Sequence, residues 1–298
     1  MITSPLADKP LLGIRVVCHA VYVPAPVAAS RLQALGARIT RVEPPAGDPL
    51  AQWSPDWYAA LRAGQRLLRL DIKATRQRAT FDHLLARADL LLTALRPAAL
   101  ERLGLTWEEL HRRFPSLSHV AITGYAAPDG DEPGHDLTYQ ARAGLATPPH
   151  LPRTLFADLA GAERAVSAAL ALLLARARGG GTGHATVSLA ESVDAFAAPL
   201  RHGLTGPGAV LGGAHPGYDF YRASDGWLAV AALEPHFWAA LLHGLALHEK
   251  SGRADVARAL ATESAAHWVA WARQRGIPVV IASAGEPSIP AEHRLPAL

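Results

Sequence analysis

"GIRVVCHAVYVPAPVAASRLQALGARITRVEPP", residues 13–45, decides how the chain is to be read. Its first part, GIRVVCHA (13–20), is short, apolar and rich in β-branched residues, which predicts a strand. PAPVAASRLQALG (24–36) has helical spacing, with prolines at its start and Gly36 placed as a C-terminal stop. ARITRVEPP (37–45) alternates and ends at a proline pair, as a second strand does. Strand, helix and returning strand make a parallel β–α–β unit.

The same alternation continues outward. RLLRLDIK (66–73), DLLLTAL (89–95) and LSHVAITGY (117–125) read as strands. TRQRATFDHLLARA (75–88), AALERLGL (98–105) and TWEELHRRFP (106–115) read as helices, the last with Thr106 and Glu109 in capping-box spacing. An α/β domain follows, with a Rossmann-like parallel sheet covered by helices on both faces. Helices are then expected around 159–178 and 188–203. Near residue 205 the pattern changes. YDFYRASDGWLAVAAL (218–233) reads as a hairpin turning on Ser-Asp-Gly. EPHFWAALLHGLAL (234–247) and SAAHWVAWARQRG (264–276) read as helices, and IPVVIAS (277–283) as a final strand. The expected division is a large α/β domain at 1–205 and a smaller hairpin-and-helix α+β domain at 206–298.

The composition narrows the function classes. Of the 298 residues 50% are hydrophobic, enough for a sizeable core, and the formal net charge is only +3. Basic residues are scattered, which argues against nucleic acid as a partner. The single cysteine, Cys18, excludes an internal disulfide framework and a cysteine zinc site, and its apolar setting predicts a buried thiol. The start, MITSPLADKPLLG, lacks the charged-then-apolar pattern of a signal peptide. AERAVSAALALLLARARGG (162–180) is too short and alanine-rich for a membrane span. A cytoplasmic, soluble protein without a membrane partner is expected.

The turn after the first strand, HAVYVPAPVAA, carries no G-x-G-x-x-G, so a dinucleotide has no glycine backbone to approach, although Glu43 sits where a ribose-binding acid would. Phosphate-loop, nucleophile-elbow and zinc-protease motifs are also missing. The 14 histidines show no metal-ligand spacing and are expected mostly on solvated faces; no metal is implied.

Three residues stand out as acid–base candidates. His135 follows the turn-rich loop AAPDGDEPG; it either caps a helix or holds a proton. Asp158, in TLFADLAGAERAV, is by default the N-cap of an apolar helix. Glu234, between a strand and a helix, suits a helix N-terminus. Periodicity alone does not bring the three together.

Ordered blocks across most of the chain add a resemblance. GIRVV, LGARITRVEPPAGDP, LRLDIK, ARADLLLTALRPAALERLGLTWEEL, PSLSHVAITGY, PGHDLTYQARAGL, ADLAGAERAVSAALALLLARARGGGTGHATVSLAES and YRASDGWLAVAALEPHFW together resemble the class III, formyl-CoA transferase-type, CoA-transferase family. That family includes α-methylacyl-CoA racemase and carnitine CoA-transferases. The resemblance implies the class III CoA-transferase fold and a coenzyme A thioester as substrate, with no permanently bound cofactor. It implies CoA contacts at Arg41, Leu70, Lys73, Arg96, Tyr125, Gly134 and Tyr139.

In the transferases, the Asp matching Asp158 is the nucleophile that carries acyl and CoA groups. In the racemase it pairs with the His of GHD, here His135, to move a proton across the α-carbon, and the residue matching Glu234 orients that His. GHD and LEPHFW are both present, which resembles the racemase branch. The resemblance also implies a homodimer of interlocked chains. Five aromatic residues (Trp227, Phe237, Trp238, Trp268 and Trp271) read as more aromatic surface than a thin second domain hides.

The chain also departs from the family pattern. AGAER (160–164) stands where a glycine-rich loop is usual, and is expected to crowd the acyl pocket or shift the helix start. Thr154 lies near a position where the racemase has Asn, and RAGQRLL replaces a basic stretch. The C-terminal return, ending in PAEHRLPAL, is shorter than the pattern. Three functions stay open: a racemase-like isomerase, a CoA-transferase using Asp158, and a non-catalytic CoA-binding or partner subunit. The acyl group is not readable.

Overall fold

The computed structural model describes residues 9–282. The start of the leader reading (1–8) and the PAEHRLPAL tail lie outside the described residues. The chain divides after Ala197 into two units. The sequence places the division at 205, because 188–203 reads as one helix. That helix breaks at Ala197, just before Pro199, a residue with no N–H to continue the ladder.

The first unit runs β1 (Arg15–His19), α1 (Pro24–Ala34), β2 (Arg38–Glu43), α2 (Leu50–Trp53), α3 (Pro55–Arg62), β3 (Arg66–Arg69) and α4 (Thr75–Leu85). It continues with β4 (Leu90–Thr93), α5 (Pro97–Arg102), α6 (Trp107–Arg113), β5 (Ser118–Thr123), α7 (Asp136–Arg142), α8 (Phe156–Ala177), β6 (His184–Ser188) and α9 (Leu189–Phe196). Its six strands pair in the order β3-β2-β1-β4-β5-β6, and every pair is parallel. This is the expected α/β sheet, with β6 as a further edge strand.

Both sheet faces are covered, which explains the apolar runs. β4 reads LLLT because Leu90 and Leu92 face one layer and Leu91 the other, all fully buried. One layer packs Val16 and Cys18 against α1 and α8, and the other packs Val17, Val42 and Ala121 against α4, α5 and α6. Alanines bring α1 and α8 close: Ala25, Ala28 and Ala29 bury on α1, and Ala162, Ala165 and Ala169 on α8. Burial pushes the Cys18 thiol up to about 12.

Among the described residues most histidines are exposed, as expected, and two are exceptions. His19 and His119 are buried, bonding Val42 O at 3.1 Å and Thr93 Oγ1 at 2.9 Å. Burial lowers both, His119 to about 3.

The second unit holds α10 (Ala198–Arg201), β7 (Tyr218–Arg222), β8 (Trp227–Ala231), α11 (Pro235–Gly244), α12 (Arg253–Leu260), α13 (Ala265–Gln274) and β9 (Val279–Ala282). Its antiparallel sheet, β7-β8-β9, includes the hairpin read from the sequence, closed by Ala223 N–H donating to Gly226 O at 2.9 Å. Leu228 and Val230 pack on Leu241, Val256, Leu260 and Trp268. Here the aromatic argument is corrected. Trp268 is buried, and Phe237, Trp238 and Trp271 pack against that core; of the five, Trp227 stands exposed at 38%.

Among the described residues no helix is long and apolar enough to cross a membrane.

Candidate active site

β1 and β4 lie side by side, but the chain leaves β1 toward β2 and leaves β4 toward β5. Such a reversal opens a crevice at the carboxyl ends of the strands. A cavity of about 230 Å³ lies there. Val21, Tyr22 and Pro24 line it from the turn after β1, Ala94, Leu95 and Arg96 from the turn after β4, and Ile122, Thr123 and Gly124 from the end of β5. Glu132, Gly134, His135, Tyr139, Asp158 and Leu189 complete its lining. Because the β1 turn has no glycine where it bends, Tyr22 takes a left-handed conformation, φ 69. Its N–H donates to Asp48 Oδ1 at 3.0 Å.

The cavity brings His135 and Asp158 together. His135 is the N-cap residue of α7, with extended φ −141 and ψ 167. Its N–H donates to Thr138 Oγ1 at 3.1 Å, and the Thr138 hydroxyl donates back to His135 O at 2.7 Å. These bonds hold the backbone, while the imidazole meets the Tyr22 ring edge-on, centroids 6.3 Å apart. His135 thus stands at a helix cap and lines a cavity.

Asp158 is not the helix cap that the sequence suggests. The N-cap of α8 is Leu155, and Asp158 lies one turn inside. The cap comes from elsewhere: Asp136 Oδ1 accepts the Asp158 N–H at 3.1 Å. Asp136 Oδ2 accepts from Gln140 Nε2, which also donates to Thr154 O at 2.9 Å. Freed from capping, the Asp158 carboxyl lines the cavity, and burial, then the charge of Asp136, raises it from 3.8 to about 7.

Tyr139 borders this cavity and a second one, about 270 Å³, lined also by Tyr125, Arg142, Ser188 and Glu191. Its ring needs two glycines: a Cβ on Gly124 or Gly134 would overlap the Tyr139 side chain. Burial, then Tyr125 and Asp158, pushes the phenol up to about 12. A carboxyl that titrates near neutrality beside an imidazole can give and take protons on one small molecule.

Residues 11–286 match CoA-transferase family III. The chain belongs to that family. It is similar to the acetyl-CoA:oxalate CoA-transferase of Acetobacter aceti, 26% identical over 93% of this chain and 82% of that one. It is 32% identical to human alpha-methylacyl-CoA racemase over 80% of this chain, and spans 65% of that protein's length. A crystal structure from Mycobacterium tuberculosis, described as a hypothetical protein, superposes with TM-score 0.82 at 26% identity, covering 92% of this chain and 86% of that one. The chain is thus an enzyme of a family that holds both racemases and CoA-transferases.

Against the contacts implied by the family, the two arginines part company. Arg96 is the exposed N-cap residue of α5 on the cavity rim. Arg41 is fully buried among other protein groups. Its Nε lies 3.0 Å from Glu43 Oε1, its Nη2 pairs with Asp48, and its guanidinium stacks 5.1 Å from the Tyr58 ring centre. Tyr58 donates to Glu43 Oε1 at 2.9 Å, so Glu43 is spent inside the same cluster. The alternating pattern of β2 hid this, because it fixes which face a side chain takes but not its neighbours.

Lys73 is exposed beside a third cavity, about 520 Å³, with Thr75, Arg78 and Arg102. Leu70 is half-buried against the α4–α6 layer, its N–H on Glu43 O at 2.9 Å. Arg102, in the last turn of α5, is a basic group the sequence reading missed; its place in LERLG was the available signal.

The expected crowding by AGAER is overturned, since in this family member residues 160–164 are helix interior. Ala160, Gly161 and Ala162 bury in α8, while Glu163 and Arg164 point outward, Glu163 pairing with Arg31 at 3.0 Å. Glu234 belongs to the second unit, where it is the N-cap residue of α11. Its role toward an imidazole rests on the resemblance alone. Among the described residues no group of three or more His, Cys, Asp or Glu could hold a metal.

Proposed function

We propose that this family III enzyme moves the α-proton of a 2-methylacyl-CoA thioester, as a racemase does. One observation carries the reading: the Asp158 carboxyl, raised to about 7, lines the same cavity as His135. In one direction a His135 ring nitrogen takes the α-proton, and the C–H electron pair passes to the thioester oxygen as an enolate. The protonated Asp158 carboxyl then gives its proton to the opposite face of that carbon, and the enolate pair closes the new C–H bond. The reverse direction starts from imidazolium and carboxylate. The Tyr139 hydroxyl, at the cavity wall, is the proposed donor to the enolate oxygen. Arg96 at the rim and Lys73 with Arg102 are the proposed cations for the CoA phosphates. Coenzyme A enters as substrate, and no resident cofactor is invoked.

The alternative is a CoA-transferase in which the Asp158 carboxylate attacks the thioester. Relatives carrying that name support it. A nucleophile must be ionised, however, and a carboxyl half-protonated at neutral pH suits proton transfer better. The test incubates a 2-methylacyl-CoA in D₂O without any acceptor acid. Deuterium at the α-carbon supports the racemase reading. No exchange, together with CoA transfer once a second acid is added, overturns it. A homodimer is proposed as the active state; sedimentation giving a 31.5 kDa monomer at micromolar concentration contradicts it.

A further inference from the structure

We propose that Asp136 is a positioning residue that ties α7 to α8 at the cavity, fixing Asp158 from the position next to His135. The inference rests on the reading of Asp158 as an acid–base group. Asp136 is 6% exposed, and both carboxylate oxygens are engaged, one by the Asp158 N–H at 3.1 Å, the other by Gln140 Nε2. The first turn of α8 would otherwise leave that N–H orphaned, because Leu155 at its N-cap has no side-chain acceptor. Capping alone asks only for a Ser, Thr or Asn at that N-cap position. Here the acceptor comes from 22 residues away, is a carboxylate, and is buried near a second carboxyl. Two such carboxylates repel, so the arrangement is comfortable only while Asp158 keeps its proton. A negative charge also suits a helix N-terminus; what goes beyond capping is that this charge stands against a second carboxyl and favours its protonated form.

Other ionisable groups line the same cavity. Tyr139 and His135 of the α7 segment, Glu132, Tyr22 and Arg96 line the cavity with Asp158. Arg96 would favour the ionised form, and Glu132 and Asp136 the protonated one.

The experiment follows the Asp158 side-chain carbon by ¹³C NMR in aspartate-labelled protein, alongside the pH profile of exchange or transfer. Asp136→Asn keeps an acceptor for the N–H and removes the charge. The Asp158 resonance should then titrate roughly one pH unit lower. The limb of the rate profile that belongs to Asp158 should move down with it, KM changing by about twofold or less. An unmoved resonance in a folded variant reduces Asp136 to a cap and overturns the proposal. If that variant does not fold, Asp158→Asn gives the reciprocal measurement. The wild-type Asp136 resonance should carry an inflection at the Asp158 midpoint that this variant loses; its persistence, or its absence from the wild type, overturns the proposal as well. Asp158→Asn with undiminished exchange and transfer overturns the proposed function instead, while the two titrations still decide the coupling.

Discussion

Two clusters of ionisable residues stand at carboxyl ends of the same sheet and do opposite things. At the end of β2, Arg41, Glu43, Asp48 and Tyr58 are all buried and turned on one another. Beyond β1 and β4, Arg96, His135, Tyr139 and Asp158 surround a cavity. In the first cluster the Arg41 guanidinium pairs with both carboxylates, and Asp48 also holds the N–H groups of Tyr22 and Leu50. In the second, the Asp158 backbone is fixed but its carboxyl is left with burial and a like charge, which raise it to about 7. Residue type does not separate binding from building. What separates them is whether the polar groups answer each other or face empty space.

The sharpest way to break this contrast is to remove the cavity's proton carriers. His135→Gln and Asp158→Asn should each lower exchange by about 10²–10⁴-fold, the usual size of a general acid–base contribution. In a transferase, Asp158→Asn would instead abolish acyl transfer and His135→Gln would be tolerated. Exchange assays with each enantiomer, and transfer assays with an acceptor acid, decide between them.

Arg41→Met attacks the other cluster. It leaves Glu43 and Asp48 buried without their cation, so thermal or denaturant unfolding should show a loss of about 3–5 kcal/mol. CoA affinity per folded molecule should not change. Weaker CoA binding in protein that remains fully folded would return Arg41 to the site.

Asp158→Asn should also raise stability, with a pH dependence that gives the sign. Below 3.8 the carboxyl is protonated in both folded and unfolded chains and contributes nothing. Between 3.8 and about 7 the unfolded chain loses the proton and the folded one keeps it, so wild-type stability falls as pH rises. The variant escapes that fall. At pH 8 it should be more stable on the order of 2 kcal/mol, and the gain should vanish near pH 4. A gain independent of pH would mean the carboxyl is not buried as a proton donor. The smallest effect belongs to Arg96→Ala, which should weaken CoA by roughly tenfold in calorimetry, the worth of one charge-assisted phosphate contact.

Much of the frame was legible because each layer leaves a periodic trace. β1, β2, β4 and β5 are apolar runs closed by turns, and the hairpin announces itself through Ser224-Asp225-Gly226. β6 was not legible: HATVS is short, only its last residues are buried, and it runs straight into α9, so it merged with the expected helix. α2 and α3 were lost because Pro49 and Pro55 break the period that would reveal them. In the site, His135 and Asp158 could be nominated, but their meeting could not, since Asp136 reaches Asp158 from 22 residues away. The same limit misled the reading of Asp158 as a cap and hid the carboxylates packed on Arg41. Each error concerns a neighbour supplied by another element.

Tyr22 shows what such a site exacts from the fold that carries it. Its left-handed backbone, φ 69, is a conformation that burdens a non-glycine residue by about 1–2 kcal/mol. Glycine there would relax the turn, yet it would delete the ring that stands against His135 and Trp53. Thermal tolerance and this ring packing therefore pull the one position in opposite directions. A library screened only on melting temperature should enrich glycine at 22 and lose the ring contacts with it.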